Sequence, residues 1–569
     1  MRARRRGSRA IPGAVALALC GACYSGVGSF EKQGVPLWDD HQADDDDDDE
    51  PISELYSPDP GQIRLLSAHE YANTVRDLLG VEASSDLDYG EIGSGFDNGS
   101  GGQLDENLFG ILHREAERLA EQYVGTGGLA AAFPCFTPGQ ALDQGCAETI
   151  VDGLGRRAFR RPVDAQTRDQ LLAFVSQARD AVDTPTQLAE LLVTRMLMSP
   201  RFLYRSEIGV PLDDDPSMTR LDPFEKASLL SYSLVGSMPD EALLADAEAD
   251  RLDSERTREH VRRLLATDPG RAQLVRFFVQ WLRADALETM VRSPESYPKL
   301  SGLAQAQALR DELTAFVETV VIDERGTLAE LLTRNLAFVN RHTAALYGAS
   351  SDAEELEPLV LDPQQRGGVL TLASVMAVHS SSAEVHRDKP IRRGLLVKNQ
   401  LLCEDVGLPS GIDIQSAAED AMDEVPDFEQ LTTREQLEII TSQDPICEAC
   451  HATFMPYGYL WSNFDALGQY QTHFGDRLLD AYVEDLQLDG ELRAYDGVMA
   501  MLPELVDGQQ LPRCFGRNVA RYASGLADGE IVDHLGEVLT ADHDAHDLDI
   551  LALVEDLFAT PELYIREAP

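Results

Sequence analysis

Helix start signals recur along this chain, and they restrict its fold more than any other feature of the sequence. Residues 67–70, 327–330 and 432–435 each have Ser or Thr followed three positions later by Glu. In this arrangement, the capping box, the hydroxyl accepts from the third amide and the Glu side chain reaches back. Apolar residues at helical spacing follow the first box, and Gly80 marks the expected end of that helix. The chain is therefore predicted to be mainly α.

The length and the helix signals indicate a multi-domain protein. A chain of 569 residues corresponds to roughly three or four domains. The middle third has no alternating pattern typical of strands, and its aromatic stripe around Phe277, Phe278 and Trp281 is expected to be core. We divide the chain into a lipoprotein-type signal peptide (1–23), an acidic tether (24–60), a first helical module (61–130), a Cys-loop with a helical module (131–205), a central helical domain (206–350), a CxxCH module resembling cytochrome c (360–470) and a C-terminal helical module (471–569).

The N-terminus has the pattern of an export signal. Five of the first nine residues are Arg, and a short apolar run over residues 14–20 follows, which is too short to remain as a membrane span. Two small residues precede Cys23, as in the lipobox of bacterial lipoproteins, whereas Leu19 makes Cys20 a poor alternative. We expect an exported protein of the cell envelope, lipidated at Cys23, most simply an outer-membrane lipoprotein facing the periplasm or the cell surface. An ordinary cleaved secretory peptide is the alternative.

Charge excludes some partners. With 48 basic and 98 acidic residues, the formal net charge is −50, which repels phosphate backbones and anionic lipid surfaces. Residues 44–50 are all acidic and should form a solvated spacer. We expect no nucleic-acid partner, and membrane contact only through the lipid anchor.

The run Cys447-Glu448-Ala449-Cys450-His451 is the candidate functional site. Two thiols at this spacing can form thioether bonds to the vinyl groups of one haem, and the adjacent imidazole then lies beneath the iron. The run therefore predicts covalent haem c held by Cys447, Cys450 and His451. The same residues suit two alternatives, a zinc site shared with Cys403 or Cys514 and a plain disulfide.

The remaining cysteines are even in number, as expected in an oxidising compartment. Cys135 and Cys146 flank a short loop and make a plausible local disulfide. If haem takes Cys447 and Cys450, Cys403 and Cys514 are left for each other.

An ordered set of motifs resembles a multi-domain bacterial family of unknown function that accompanies planctomycete-type cytochromes. The motifs are RLLSAHEYANTVRDLLG (64–80), RRAFRRP (156–162), SPRFLYR (199–205), QWL (280–282), FVN (338–340), LYG (346–348), RGGVL (366–370), RG (393–394), LLC (401–403), CEACH (447–451) and NFDALG (463–468). The resemblance implies an exported, mostly helical protein with five consecutive modules and a haem-type C-x-x-C-H, and it carries no established activity. Phe454 and Met455 replace the Met-Asp pair that family members usually have there.

The sixth iron position has several candidates. His379 occupies a place where relatives also carry histidine, Met501 lies at a distance typical of small cytochromes, and Met455 is too near His451 to loop over the ring. His379 is the first choice, with an open position equally acceptable. Two protein ligands would favour an electron carrier, while an open position would admit a small molecule such as peroxide.

The sequence thus predicts a lipid-anchored c-type haem protein that transfers electrons to or from an unidentified redox protein. The alternative is a surface or structural binding protein whose CxxCH is a zinc site or a disulfide. No hydrolase motif is present, since Gly-x-Ser-x-Gly and zinc-protease spacings are absent. Catalytic residues and substrate stay unassigned.

Overall fold

The structure is a computed structural model that describes residues 61–84, 87, 96–97, 104–288, 303–379, 387–406, 425–526, 529–541 and 545–568. The predicted signal peptide, the lipidation site Cys23 and the acidic tether lie outside these residues. Within them the chain forms two compact units. The first takes its described residues from 61–277, 516–539 and 552–568, and the second from 278–515 and 540–551.

Helices dominate, as predicted. Up to residue 281 they are Ala68–Leu79, Glu106–Gly125, Gly128–Ala132, Gln144–Ala158, Ala165–Ala178, Pro185–Leu197, Pro200–Leu203, Pro223–Val235, Glu241–Glu248, Ser254–Leu265 and Asp268–Trp281. Beyond residue 302 they are Leu303–Val317, Leu328–Thr333, Ala373–Val378, Pro390–Leu396, Thr433–Thr441, Pro445–His451, Met455–Tyr459, Val498–Asp507, Gln510–Ser524, Glu530–Thr540 and Ile550–Ala559. Leu303–Val317 continues as a π-helix over Glu318–Asp323, and Pro390–Leu396 continues as one over Val397–Leu401.

The strands form small antiparallel sheets. They pair Gln62–Leu65 with Tyr204–Glu207, Met218–Arg220 with both Val210–Pro211 and Ile565–Glu567, Leu336–Val339 with Glu357–Val360, His473–Phe474 with Arg477–Leu478, and Tyr482–Leu488 with Glu491–Asp496. The first of these pairings joins two segments that the sequence analysis separates, 61–130 and 131–205. The segment limits proposed from the sequence stay predictions.

Local capping explains why the helices begin and end where they do. All three capping boxes predicted from the sequence are present, at Ser67, Thr327 and Thr432. Gly80 ends the first helix with φ of +68°, a conformation that costs glycine little. The side chains of Phe277, Phe278 and Trp281 are buried, which confirms their assignment to the core.

The region 471–569, predicted as helical, begins with two β-hairpins. In the longer one, Val483, Leu486 and Leu488 are buried. Asp489 and Gly490 connect its strands with φ of +48° and +78°, the backbone pattern of a tight hairpin turn. Asp-Gly after an alternating apolar segment is a strand signal, and it overrides the helical prediction here.

Two of the motifs, 64–80 and 199–205, contribute to a buried ion cluster in the first unit. Glu207 accepts from Arg64 and from Arg566, at 2.9 Å each, while Arg205 pairs with Glu70 at 3.2 Å. All five side chains are at most 3 % exposed. Burial raises the pKa of Glu207, but the arginines Arg64, Arg566 and Arg205 outweigh it and hold that pKa at about 2. The cluster thus links strands Gln62–Leu65 and Ile565–Glu567 to strand Tyr204–Glu207.

Arginines of the 156–162 motif act structurally, as the acidity of the chain suggests. Buried Arg160 donates to the carbonyl oxygens of Phe202 and Tyr204 at 3.1 and 2.6 Å, and Arg161 pairs with Asp222 at 3.0 Å. These bonds hold the turn between two helices, so no anion is required to explain the motif. Among the described residues, no helix has the length and apolar character needed to cross a membrane.

Candidate functional site

The candidate site lies on a short helix, Pro445–His451, which we call the CxxCH helix. Its sequence dictates its start: Pro445 occupies the first turn, and the Asp444 side chain accepts from the amides of Ile446 and Cys447 at 2.7 and 3.3 Å. The preceding helix, Thr433–Thr441, packs next to it in the second unit. Cys447, Cys450 and His451 are therefore carried by regular backbone rather than by a loop.

The two thiols of the CxxCH helix are free. Cys447 is buried and Cys450 is partly exposed, and a spacing of three residues places them on the same side of the helix. Burial raises the pKa of both thiols, and the charge of Asp444 adds to the effect at Cys447. Both groups are therefore protonated near neutral pH. A cysteine active in thiol–disulfide exchange usually has a lowered pKa instead.

His451 presents one ring nitrogen to a neighbour and leaves the other without one. Its Nδ1 lies 3.0 Å from the Met455 sulfur, and its ring packs against Phe454 at 5.1 Å between centroids. No hydrogen bond to Nε2 is found in the described part of the chain. Burial lowers the pKa of His451, so the imidazole is neutral and Nε2 is available as a ligand.

A close backbone contact fixes the segment that follows the site. A Cβ on Gly458 would overlap the carbonyl oxygen of Pro390, and one on Gly394 would overlap that of Phe454. Helices Pro390–Leu396 and Met455–Tyr459 therefore touch through their glycines. Arg393 lies beside this contact and donates to the Phe464 carbonyl oxygen at 2.8 Å. Gly394 belongs to a motif found in the sequence, and this contact explains it.

The structure places His379 at the end of helix Ala373–Val378, in the core of the second unit. Its Nε2 lies 2.7 Å from the Leu282 carbonyl oxygen, to which only a protonated nitrogen can donate. Burial lowers the pKa of His379 to about 4. Within the described residues, no hydrogen bond or ring contact joins His379 to the CxxCH helix. Ligation through Nε2 would first have to break the bond to Leu282.

The two methionines considered from the sequence have different surroundings. Met501 is fully buried in helix Val498–Asp507. Met455 lies one helical turn beyond His451 and contacts the imidazole at Nδ1, on the ring edge that is not used for Nε2 ligation. This contact is not compatible with a role for Met455 as the second axial ligand of a haem iron.

The other cysteines form two disulfides, Cys135 to Cys146 and Cys403 to Cys514. The zinc alternative needed Cys403 or Cys514 as a further ligand, and the disulfide occupies both. Across the part of the chain that is described, no group of three or more His, Cys, Asp or Glu side chains is placed to hold a metal ion.

The donor set on the CxxCH helix fits a covalent haem. Attachment needs two free thiols on one helical face and an imidazole whose Nε2 is unoccupied, and Cys447, Cys450 and His451 supply these groups. Ile446, on the same helix, is 58 % exposed and adds apolar surface. A flat apolar group bound here would find both ligands and apolar surface.

Four family profiles match the chain in succession, each described as a protein of unknown function. They are PSD3 (DUF1587) over 64–125, PSD5 (DUF1595) over 146–207, PSD4 (DUF1592) over 221–349 and PSCyt3 (DUF1588) over 366–474. The last match contains the CxxCH helix, and its name associates it with cytochromes. No curated protein and no solved structure shows significant similarity to the chain.

Proposed function

We propose that this chain, which belongs to the multi-domain family of unknown function carrying PSD3, PSD5, PSD4 and PSCyt3 domains, is an exported c-type haem protein that transfers electrons at the cell envelope. The observation that carries the proposal is the chemistry of the CxxCH helix. It combines two unpaired thiols, three residues apart, with a neutral histidine whose Nε2 has no hydrogen-bond partner among the residues that the structure describes.

Cys447 and Cys450 would hold the group by thioether bonds, and His451 would be the proximal ligand. A bound haem supplies a one-electron couple at its iron. The protein residues set its surroundings: Phe454 packs on the His451 ring, and the glycine contact at Gly394 and Gly458 fixes the backbone behind it. Burial and the axial ligands would then determine the reduction potential.

The raised pKa values of Cys447 and Cys450 argue against a role in thiol–disulfide exchange, because the attacking cysteine in that reaction is a thiolate. Thioether formation is carried out by dedicated maturation enzymes and does not require a low pKa in the folded protein. The disulfide between Cys403 and Cys514 also removes the extra thiols that a zinc site would need.

Location rests on the sequence of the N-terminus. Export brings the chain to the compartment where haem is attached to C-x-x-C-H motifs. Lipidation at Cys23, followed by the acidic spacer 44–50, would tether the folded units to the membrane. Incorporation of labelled fatty acid into the wild-type chain, and its loss in Cys23→Ala, is the expected result; labelling of both or of neither would reject the anchor.

The sixth iron position decides between two activities. The hydrogen bond of His379 to the Leu282 carbonyl favours a position that this histidine does not fill. An open position would give a peroxidase-type reaction with a small oxidant, and a closed one a pure electron carrier. Turnover of hydrogen peroxide with a reduced dye by the haem-loaded protein would establish the first activity, and its absence would leave the second.

The test of haem binding uses the full chain produced in a bacterium with cytochrome c maturation machinery. A Soret band and a covalent haem stain after denaturation are expected. Cys447→Ser combined with Cys450→Ser should abolish both signals. The matched control, Cys135→Ser combined with Cys146→Ser, alters an equal number of cysteines in the first unit, whose disulfide contributes less stability than that of the second, and should keep both signals. Equal staining of the two double variants would contradict the assignment. If the wild-type protein does not stain and contains zinc instead, the zinc alternative is supported.

A further inference from the structure

The side chain of Met455 contacts the His451 imidazole at one of its two ring nitrogens. The Met455 sulfur lies 3.0 Å from His451 Nδ1. A thioether has no proton, so the sulfur can only accept, and the imidazole must donate from Nδ1. A neutral imidazole carries one proton, and with it on Nδ1 the lone pair is on Nε2.

Further contacts hold the sulfur and the ring in place. Met455 is 4 % exposed, in the first turn of helix Met455–Tyr459. The Tyr459 hydroxyl lies 4.0 Å from the same sulfur, on the next helical turn. Phe454, the residue before Met455, packs against the His451 ring. The imidazole is thereby contacted both at its Nδ1 edge and by an aromatic ring.

We propose that Met455 is a positioning residue for the haem site: its sulfur accepts a hydrogen bond from the Nδ1–H of His451 and so directs the Nε2 lone pair to the iron. The inference rests on the proposed function for the iron itself, whereas the tautomer and its cause belong to the chain alone. The side chain that fixes the other nitrogen of a ligating histidine also tunes its basicity. A thioether is a weak acceptor compared with a carboxylate, so Met455 leaves His451 a weaker electron donor than an aspartate at this position would.

The first test reads the tautomer in the haem-free protein by two-bond proton–nitrogen correlation of selectively labelled histidine. Wild type should show the Nδ1–H form of His451, the minor tautomer of a free neutral histidine side chain in water. An Nε2–H form in the wild type would overturn the proposal without any variant being made. Because no haem is present, this result is independent of whether haem is ever attached.

The second test uses Met455→Leu, which removes the acceptor and keeps an apolar side chain of similar volume. The Nδ1–H preference of His451 should disappear. Met501→Leu is the matched control, since it changes a buried methionine of the second unit outside the site and should leave the tautomer unchanged. Retention of Nδ1–H in Met455→Leu, or its loss in both variants, would reject the role of the sulfur.

The third test uses the loaded protein. Met455→Asp places a carboxylate acceptor at the same position, which strengthens donation from His451 and should lower the reduction potential of the haem relative to wild type. An unchanged or raised potential would contradict the inference. If no haem attaches to the wild type, the proposed function fails, and the tautomer experiment still decides the role of Met455.

Discussion

Replacement of Glu207 by Gln tests the buried ion cluster of the first unit. The cluster contains three arginines and two glutamates, so it already has one excess positive charge. The introduced glutamine would keep the shape of the side chain but leave two excess charges in a place where every member is at most 3 % exposed. Removing one partner of a buried pair costs about 3 to 5 kcal/mol.

The pKa of Glu207 gives an independent magnitude. Its fall from the ordinary value of 4.5 to about 2 corresponds to roughly 3 kcal/mol of folding free energy at neutral pH. Burial also lowers the pKa of Arg64, so the cluster bears a desolvation cost, and the net gain is smaller than the sum of its ion pairs. Both routes predict a loss of about 3 kcal/mol in Glu207→Gln.

The sign of the pH dependence follows from the direction of that pKa change. A carboxylate with a depressed pKa stabilises the folded state above pH 4.5, and this contribution is lost as the pH falls towards 2. By about pH 3, more than half of it is gone. The difference between wild type and Glu207→Gln should therefore be constant from about pH 6 to 8 and shrink in acid.

The cost is measured as the free energy of opening of the paired strands Gln62–Leu65 and Tyr204–Glu207. Hydrogen–deuterium exchange of peptides that cover these strands, carried out in urea, gives this local free energy. The control is Glu567→Gln, next to Arg566 but exposed, which should change stability by less than about 0.5 kcal/mol. A cost below about 1 kcal/mol for Glu207→Gln near neutral pH, or a cost independent of pH, would refute the reasoning.

Three further predictions concern the second unit. Gly458→Ala would force the helices carrying Gly394 and Gly458 apart and should cost up to about 3 kcal/mol. The control Gly125→Ala adds a Cβ that meets nothing within 4 Å and should change stability by at most about 0.5 kcal/mol. Equal effects of the two substitutions in urea denaturation would contradict the close contact. Breaking the disulfide between Cys403 and Cys514, which are 111 residues apart, should cost about 5 kcal/mol of folding stability, because it closes a long loop. Breaking the disulfide between Cys135 and Cys146, only 11 residues apart, should cost about 3 kcal/mol, and the reverse order of the two losses would reject this argument. His379→Leu should cost about 1 to 3 kcal/mol, because the Leu282 carbonyl loses its buried donor, while the haem spectrum stays that of wild type; a shifted spectrum would instead identify His379 as an axial ligand.

Local signals account for the part of the fold that the sequence predicts. Helix starts at Ser67, Thr327 and Thr432 are encoded within four residues, and the structure contains each of them. The Asp489-Gly490 hairpin also has a local signal, the turn dipeptide after alternating residues, although the sequence analysis includes it in a helical module.

Contacts between distant parts of the chain could not be predicted in this way. The ion cluster joins Arg64, Glu207 and Arg566, and nothing within a short window announces that these residues meet. The sequence shows Arg64 only as part of a motif, and Glu70 as part of that motif and of a capping box. The same limit applies to Gly394 and Gly458, whose contact depends on how two helices pack.

At the candidate site, too, the features encoded by neighbouring residues could be predicted and the contacts between distant residues could not. Cys447, Cys450 and His451 are adjacent in sequence, so their grouping was visible at once. Sequence position alone makes His379 a candidate ligand, whereas its bond to the Leu282 carbonyl is a tertiary feature. The sequence places Met455 too near His451 to be an iron ligand and does not indicate another role for it. The contact with Nδ1 of His451 depends on the turn between the two short helices, which the sequence did not specify.

The central claim is that haem is bound covalently at Cys447 and Cys450. It is tested most directly by mass spectrometry of the peptide containing residues 445–451, from protein made with a functional maturation system, denatured and digested. A peptide carrying one haem on both cysteines is the predicted result. An unmodified peptide, from cells that load a known cytochrome c expressed in parallel, would contradict the account.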